Sequence, residues 1–365
     1  MAAQEDLVFT GGHRAQLGPS TPITDNGGVG VHNAQTYARV WSAPQNDVEC
    51  KLMNSYDVYD GDFCCIQSSG MAAIATTFHA LRMIDSVNTI VCHTELYCDT
   101  NDFLDQFAGL YKCKIIRVDC SDAKAVEVAL RGAISPTVIF VESCSNPSGQ
   151  VPDWECVSSM PSVALIVDNT WLSSAIFNPL DHGADVVIES LTKYNSSGQA
   201  IAGAIIGNPG SVGARIVETA RIWAHFNGHH VSPHDMSIIS KSLDTLKVRV
   251  KAASNKTMQI ISALIDHGFT IVHPTVANPI DSLPFKIQPS VFVVTGERAG
   301  AGLPAVLPSL SVIKKRVGKS CLEWKTSYGG PHSRIDNYSK KDRIRISIGY
   351  NEEPNLLFDL LMILS

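Results

Sequence analysis

The chain has 365 residues, of which 45% are hydrophobic and 18% charged, a composition with ample apolar sequence for a globular core. Its formal charge is −6, and its longest basic blocks are pairs such as Lys314/Lys315 and Lys340/Lys341, which argues against a nucleic-acid surface. With no run of about eighteen apolar residues and no basic-then-apolar leader, the expectation is a soluble, cytoplasmic protein.

Residues 1 to 50 are rich in Gly, Pro, Asn and Gln with little periodicity and read as an extended arm with at most short helices. The segment 68–83, "SSGMAAIATTFHALRM", reads as a helix that opens on small residues. Five strands are expected at 88–97, 112–120, 137–145, 162–171 and 184–194, each a near-continuous apolar run that ends in polar residues. That pattern belongs to a mostly parallel sheet covered on both faces, in which ligands gather at the carboxyl ends of the strands. From 232 a helical stretch connects into a C-terminal α/β domain that closes with a helix in "EEPNLLFDLLMIL" (352–364). The expected division is therefore an arm (1–50), a first domain (51–245) and a smaller C-terminal domain (246–365). Ten cysteines without a CxxC pair, mostly in or beside apolar runs, suit buried thiols in a reducing compartment better than a disulfide framework or a zinc site.

Three consecutive strand ends carry complementary polar groups: Asn146, Asp168, and Lys193 with Ser190 and Thr192. Taken alone, Lys193 is an ordinary strand-end lysine whose stem reaches solvent. A carboxylate after "ALIV", however, is costly to bury unless a cation faces it, and a pyridinium nitrogen is such a cation. A lysine in the same cleft forms a Schiff base with an aldehyde, and hydroxyls beside a helix start hold a phosphate. Pyridine, aldehyde and phosphate together describe pyridoxal phosphate.

The spacing of "DNT" (168–170), "GAD" (183–185) and "SLTKY" (190–194) resembles the Cys/Met-metabolism family of pyridoxal-phosphate enzymes, which includes cystathionine γ-synthase, cystathionine β- and γ-lyases and methionine γ-lyase. Further matches follow in family order: "YAR" (37–39), "SSGMAAI" (68–74), "ELYCDT" (95–100), "ESCSNP" (142–147), "SYGG" (327–330) and "RISIG" (345–349). The resemblance implies a fold type I, aspartate-aminotransferase-like α/β architecture. It makes Lys193 the cofactor anchor and the base at the substrate's Cα, with Asp168 on the ring nitrogen. Ser190, Thr192 and the backbone of Gly70 and Met71 would hold the phosphate, and Tyr97 would stack on the ring and act in proton transfer. Asn146 would sit near the ring's phenolic oxygen and, with Arg345 and Ser327, bind the substrate, Arg345 gripping its carboxylate. Tyr37 and Arg39 would reach the phosphate of a neighbouring subunit in a homo-oligomer, usually a dimer of dimers.

The implied activity is cleavage of a C–S bond in a sulfur amino acid by α,β- or α,γ-elimination. Trp171 resembles a residue of some cystathionine β-lyases and leans toward β-elimination. The alternatives are γ-replacement on an O-acylhomoserine, with Asp99 or His332 orienting the nucleophile, and a catalytically silent binding homologue. Departures from the family pattern fall at Asp99, at Gly198–Gln199 one position late, at His332, and in the unusual loop 296–310. His229 and His230 carry no assigned role.

Overall fold

The structure, a computed structural model, describes residues 42–365 apart from 60, 147, 160–161, 279, 299–306 and 338–342, with the backbone alone at 296–298. Seven strands form the first sheet: β1 (Cys64–Gln67), β2 (Thr89–His93), β3 (Lys114–Val118), β4 (Thr137–Glu142), β5 (Ala164–Asp168), β6 (Val186–Ser190) and β7 (Gly203–Gly207). Their order is β1-β7-β6-β5-β4-β2-β3. The run from β6 to β3 is parallel throughout, and β7 is antiparallel to both its neighbours. Every residue of β2, β4 and β5 is buried, because helices cover both faces and leave no room for polar alternation.

Each of the five expected strands is present but shorter, chiefly at its carboxyl end. β2 stops at His93 rather than at 97, and β5 at Asp168 rather than at 171. The polar residues that follow leave the ladder and turn across the sheet edge. β1 and β7 were not expected. Both are very short, and β7 is bounded by glycines, so neither offers a periodic signal.

A second sheet of five strands comprises β8 (Phe269–Val272), β9 (Val291–Arg298), β10 (Glu323–Trp324), β11 (Arg334–Asp336) and β12 (Arg343–Ser347), in the order β10-β11-β12-β9-β8. Its core packs Ile344, Ile346 and Val294 with Ile261 and Leu264 of the helix Leu246–Asp266 and Leu360 of the last helix. The helical stretch after 232 is two helices, Pro233–Leu243 and Leu246–Asp266, the first capped by Ser232, whose hydroxyl accepts from the Asp235 amide at 3.0 Å. The last helix begins at Leu356, two residues beyond Pro354.

The helix Ala43–Ser55 starts inside the expected arm and crosses its boundary at 50. Lys51 fastens it to the body through the Ser240 carbonyl at 3.1 Å and Asp244 at 2.8 Å. No helix among the described residues is long and apolar enough to cross a membrane. All ten cysteines are free thiols, most of them buried, with Cys98 and Cys321 exposed.

Candidate active site

The carboxyl ends of the parallel strands open into a cavity of about 500 Å3 whose far wall comes from the second sheet. β5 delivers Asp168, β6 delivers Ser190 and, in the turn beyond it, Thr192 and Lys193; the segment after β4 brings Asn146 and that after β2 brings Tyr97. The start of the helix Gly70–Ile84 contributes Ser69, Gly70 and Met71. From the second sheet and its approach come Ser327, Tyr328, Asp336 and Arg345.

Lys193 Nζ donates to Ser327 Oγ at 3.2 Å and lies 5.4 Å from the centre of the Tyr328 ring. Burial, then the positive charges of Arg345 and Arg334, hold its pKa below the ordinary lysine value, while Asp168 opposes them. An amine so placed is more readily neutral, and therefore nucleophilic, than one in water. Gly329 lets the chain approach closely here: at φ +82°, a Cβ would stand 2.7 Å from the Tyr194 amide and 2.8 Å from the Lys193 carbonyl carbon.

Asp168 is buried and accepts the Thr170 amide at 2.9 Å. Burial pushes its carboxyl above the usual range, against hydrogen bonding from Thr170 and attraction to Lys193. Directly opposite it in register stands Glu142, which sequence reasoning quoted within a motif but gave no role. One Glu142 oxygen accepts the amide of Tyr97 at 2.6 Å and the other the amide of Asn146 at 3.0 Å. A single carboxylate thus fixes the backbone of two site residues from different loops. A glutamate at a strand end gives no local sign of facing inward.

Tyr97 precedes the helix Cys98–Tyr111, and its hydroxyl donates to Asp99 Oδ2 at 2.8 Å. Burial, followed by this hydrogen bond and the charge of Asp99, raises the phenol to about 12. Arg345 Nη2 and Nε both donate to Asp336 Oδ2, at 2.7 and 3.2 Å, and Nη1 donates to Asn146 Oδ1 at 3.4 Å. Asp336 was not singled out by sequence, since its contact with Arg345 depends on strand pairing.

The cavity has the donor set that a phosphorylated pyridine aldehyde requires. The first turn of the Gly70–Ile84 helix presents amides without intrahelical acceptors, and its cap, Ser69, accepts from the Ala72 amide at 3.0 Å. Gly70 abuts Ser190 so closely that a Cβ would stand 2.7 Å from the serine Cβ, which keeps this end open to an anion's approach. At the other end, the buried Asp168 carboxylate calls for a cationic ring nitrogen. Trp171 Nε1 is buried on the cavity wall with no hydrogen-bond partner among the described residues.

Ten of the twelve expected site residues therefore line one cavity: Gly70, Met71, Tyr97, Asn146, Asp168, Ser190, Thr192, Lys193, Ser327 and Arg345. The Thr192 hydroxyl is engaged with the Ala202 backbone, accepting at 3.3 Å and donating at 3.4 Å. Tyr37 and Arg39 lie outside the described residues. The late Gly198–Gln199 is accommodated by a turn in which Ser197 and Gly198 both take positive φ, 59° and 77°. His332 does not line the cavity; it is half-exposed and lies 4.0 Å from Glu353. His229 bonds Gln67 at 2.9 Å and Thr76 at 3.0 Å.

Residues 21–280 match the family model for Cys/Met metabolism PLP-dependent enzymes. The chain is 28% identical over 330 residues to a cystathionine β-lyase of Neurospora crassa, covering 85% of this chain and 68% of that protein. It is 30% identical over 243 residues to human cystathionine γ-lyase, covering 65% of this chain and 57% of the human one. In fold it is similar to a solved structure of cystathionine γ-lyase from Lactobacillus plantarum complexed with L-serine, with a TM-score of 0.75, 22% identity, and 90% and 87% of the two chains covered. With a mostly parallel sheet, a smaller second sheet and this match, the chain belongs to the Cys/Met metabolism family of PLP-dependent enzymes, and pyridoxal phosphate is its cofactor.

Proposed function

We propose that the protein is a carbon–sulfur lyase that acts on a cystathionine-type sulfur amino acid by α,β- or α,γ-elimination. The observation that carries this reading is that the amine of Lys193 shares one cavity with Asp168, Ser190 and Arg345. Support from relatives is that curated proteins of similar sequence are named cystathionine β-lyase and cystathionine γ-lyase.

Pyridoxal phosphate supplies, when bound, an aldehyde for the amine and a ring that stores the electron pair left at Cα. In this reading Asp168 keeps the ring nitrogen protonated, and the Gly70 and Met71 amides with Ser190 and Thr192 hold the phosphate. Arg345, Asn146 and Ser327 orient the amino acid through its carboxylate, so that its Cα proton faces Lys193 Nζ. Lys193 removes that proton as a neutral amine. Tyr97, whose phenol stays protonated across the neutral range, donates a proton to the departing sulfur. Elimination then leaves an unsaturated amine that water converts to a 2-oxo acid and ammonia. By resemblance to the family, Tyr37 and Arg39 would complete the phosphate site of a second copy, and we propose a homo-oligomer, a dimer of dimers, with the cytoplasm as its compartment. The division we propose between cofactor domain and C-terminal domain falls at the break between the helices Pro233–Leu243 and Leu246–Asp266, whereas the expected arm boundary at 50 lies inside the helix Ala43–Ser55.

The purified, cofactor-loaded protein incubated with L-cystathionine tests the reaction. Pyruvate as product identifies β-elimination and 2-oxobutyrate γ-elimination. A product from an O-acylhomoserine that forms only when a thiol is added, with no 2-oxo acid in its absence, would replace this reading with γ-replacement.

A further inference from the structure

Asp336 and Arg345 face one another directly across the antiparallel β11–β12 pair. Both side chains are buried, and both line the cavity on the side of the second sheet. A guanidinium grips a carboxylate best along an edge that offers two parallel N–H donors. In this chain the Nε–Nη2 edge of Arg345 is held by the protein's own carboxylate, at 3.2 and 2.7 Å. On the other side, Nη1 donates to Asn146 Oδ1 at 3.4 Å.

We propose that Asp336 is a specificity-determining residue that competes with a substrate's carboxylate for Arg345. The proposal rests on the reading above for the place of the cofactor and substrate in the cavity. An arriving carboxylate either approaches the Nη1 side of Arg345, where Asn146 also accepts, beside the negative charge of Asp336, or displaces Asp336. The first route brings like charges together in a poorly solvated site. The second breaks the buried Asp336–Arg345 ion pair while the strand ladder still holds the Asp336 backbone opposite Arg345. Both routes reduce what an α-carboxylate adds to binding. The site therefore gains less from an amino-acid substrate's α-carboxylate than it would with a neutral residue at 336, and discriminates less between that substrate and an analogue whose acid group is masked.

The test uses two oxyamines that capture the cofactor carbonyl in the same way. Aminooxyacetate carries a carboxylate, whereas methoxyamine does not. Their apparent affinities are read from the change in the cofactor's visible band, which requires no turnover and no knowledge of the physiological substrate. The wild-type holoenzyme is expected to show little preference between them. Asp336→Asn is expected to raise the preference for aminooxyacetate about tenfold, and Arg345→Ala in that background to remove the gain. Asp336→Ser serves as a second neutral replacement, and both are compared by circular dichroism.

A wild-type enzyme that already prefers aminooxyacetate strongly would overturn the proposal, as would an Asp336→Asn variant with an unchanged or lower preference. A gain that survives Arg345→Ala would also overturn it, since the competition would not be for that arginine. If neither neutral variant folds, the pair is a stability element and the proposal falls. If neither reagent alters the band of the wild type, the reading of the cofactor site has failed and the proposal falls with it, an outcome distinct from a band that responds equally in all variants.

Discussion

Glu142 and Asp168 stand directly opposite one another at the carboxyl ends of adjacent parallel strands, two buried carboxylates in neighbouring positions of one sheet. Burial, and then the charge of Asp168, pushes Glu142 up to about 8. Glu142 therefore retains its proton into the neutral range, and a cationic ring nitrogen beside Asp168 would favour that residue's ionised form. Glu142 also accepts the amides of Tyr97 and Asn146. Replacing it with Ala removes both acceptors and leaves two amides to find others, at a cost of about 1 to 3 kcal/mol for each that stays buried. Glu142→Ala is predicted to weaken cofactor binding at least tenfold in a titration followed by the visible band, and Glu142→Gln to weaken it less. Affinity equal to wild type in the Ala variant would show that the two loops hold their positions without this carboxylate.

Asp99, one of the departures from the family pattern, accepts the hydroxyl of Tyr97. Its hydrogen bond and charge act with burial to raise the phenol. Asp99→Asn is predicted to move the Tyr97 ionisation down from about 12, visible as a tyrosinate component at lower pH in an ultraviolet difference titration against a Tyr97→Phe control. The basic limb of the pH–rate profile is predicted to shift in the same direction. A titration that superimposes on wild type would mean that the hydroxyl finds another acceptor.

Much of this site was legible in the sequence because its chemistry sits where apolar runs stop. Asp168 follows "ALIV" and Lys193 follows "ADVVI", and in a parallel sheet both endings lie on the same edge. Asp336 and Glu142 were not legible as site residues. The contact of Asp336 with Arg345 exists only through the pairing of β11 with β12, and β11 is three residues long, too short for a period. Much the same holds for the second sheet as a whole, whose strands are set by pairing more than by pattern. The break at Asp244–Thr245 was missed because the apolar spacing continues across it, so that two helices read as one. His332 was misjudged because proximity to "SYGG" in sequence does not give proximity to Lys193 in space.

Beneath the site, Glu189 is fully buried and accepts from Tyr56, Asn195 and the Ser174 amide at 3.0 Å. Burial outweighs these donors and raises it from 4.5 to about 7. A carboxyl whose folded pKa is raised binds its proton more tightly in the native state, so its contribution is fully present below pH 4.5 and is lost as pH rises through about 7. Glu189→Gln removes that titration. The difference in Tm between wild type and Glu189→Gln is therefore predicted to move against wild type between pH 4.5 and about pH 7. A difference that is flat across this range would contradict the assigned direction.

The central claim is that Lys193 is the residue to which the cofactor is attached. Borohydride reduction of the holoenzyme, followed by proteolysis and mass spectrometry of the peptides, reads that attachment directly. The account predicts the reduced cofactor's mass on the peptide that contains "SLTKY", and no fixed cofactor on Lys193→Ala. The same mass found on another lysine, or retained by Lys193→Ala, would contradict it.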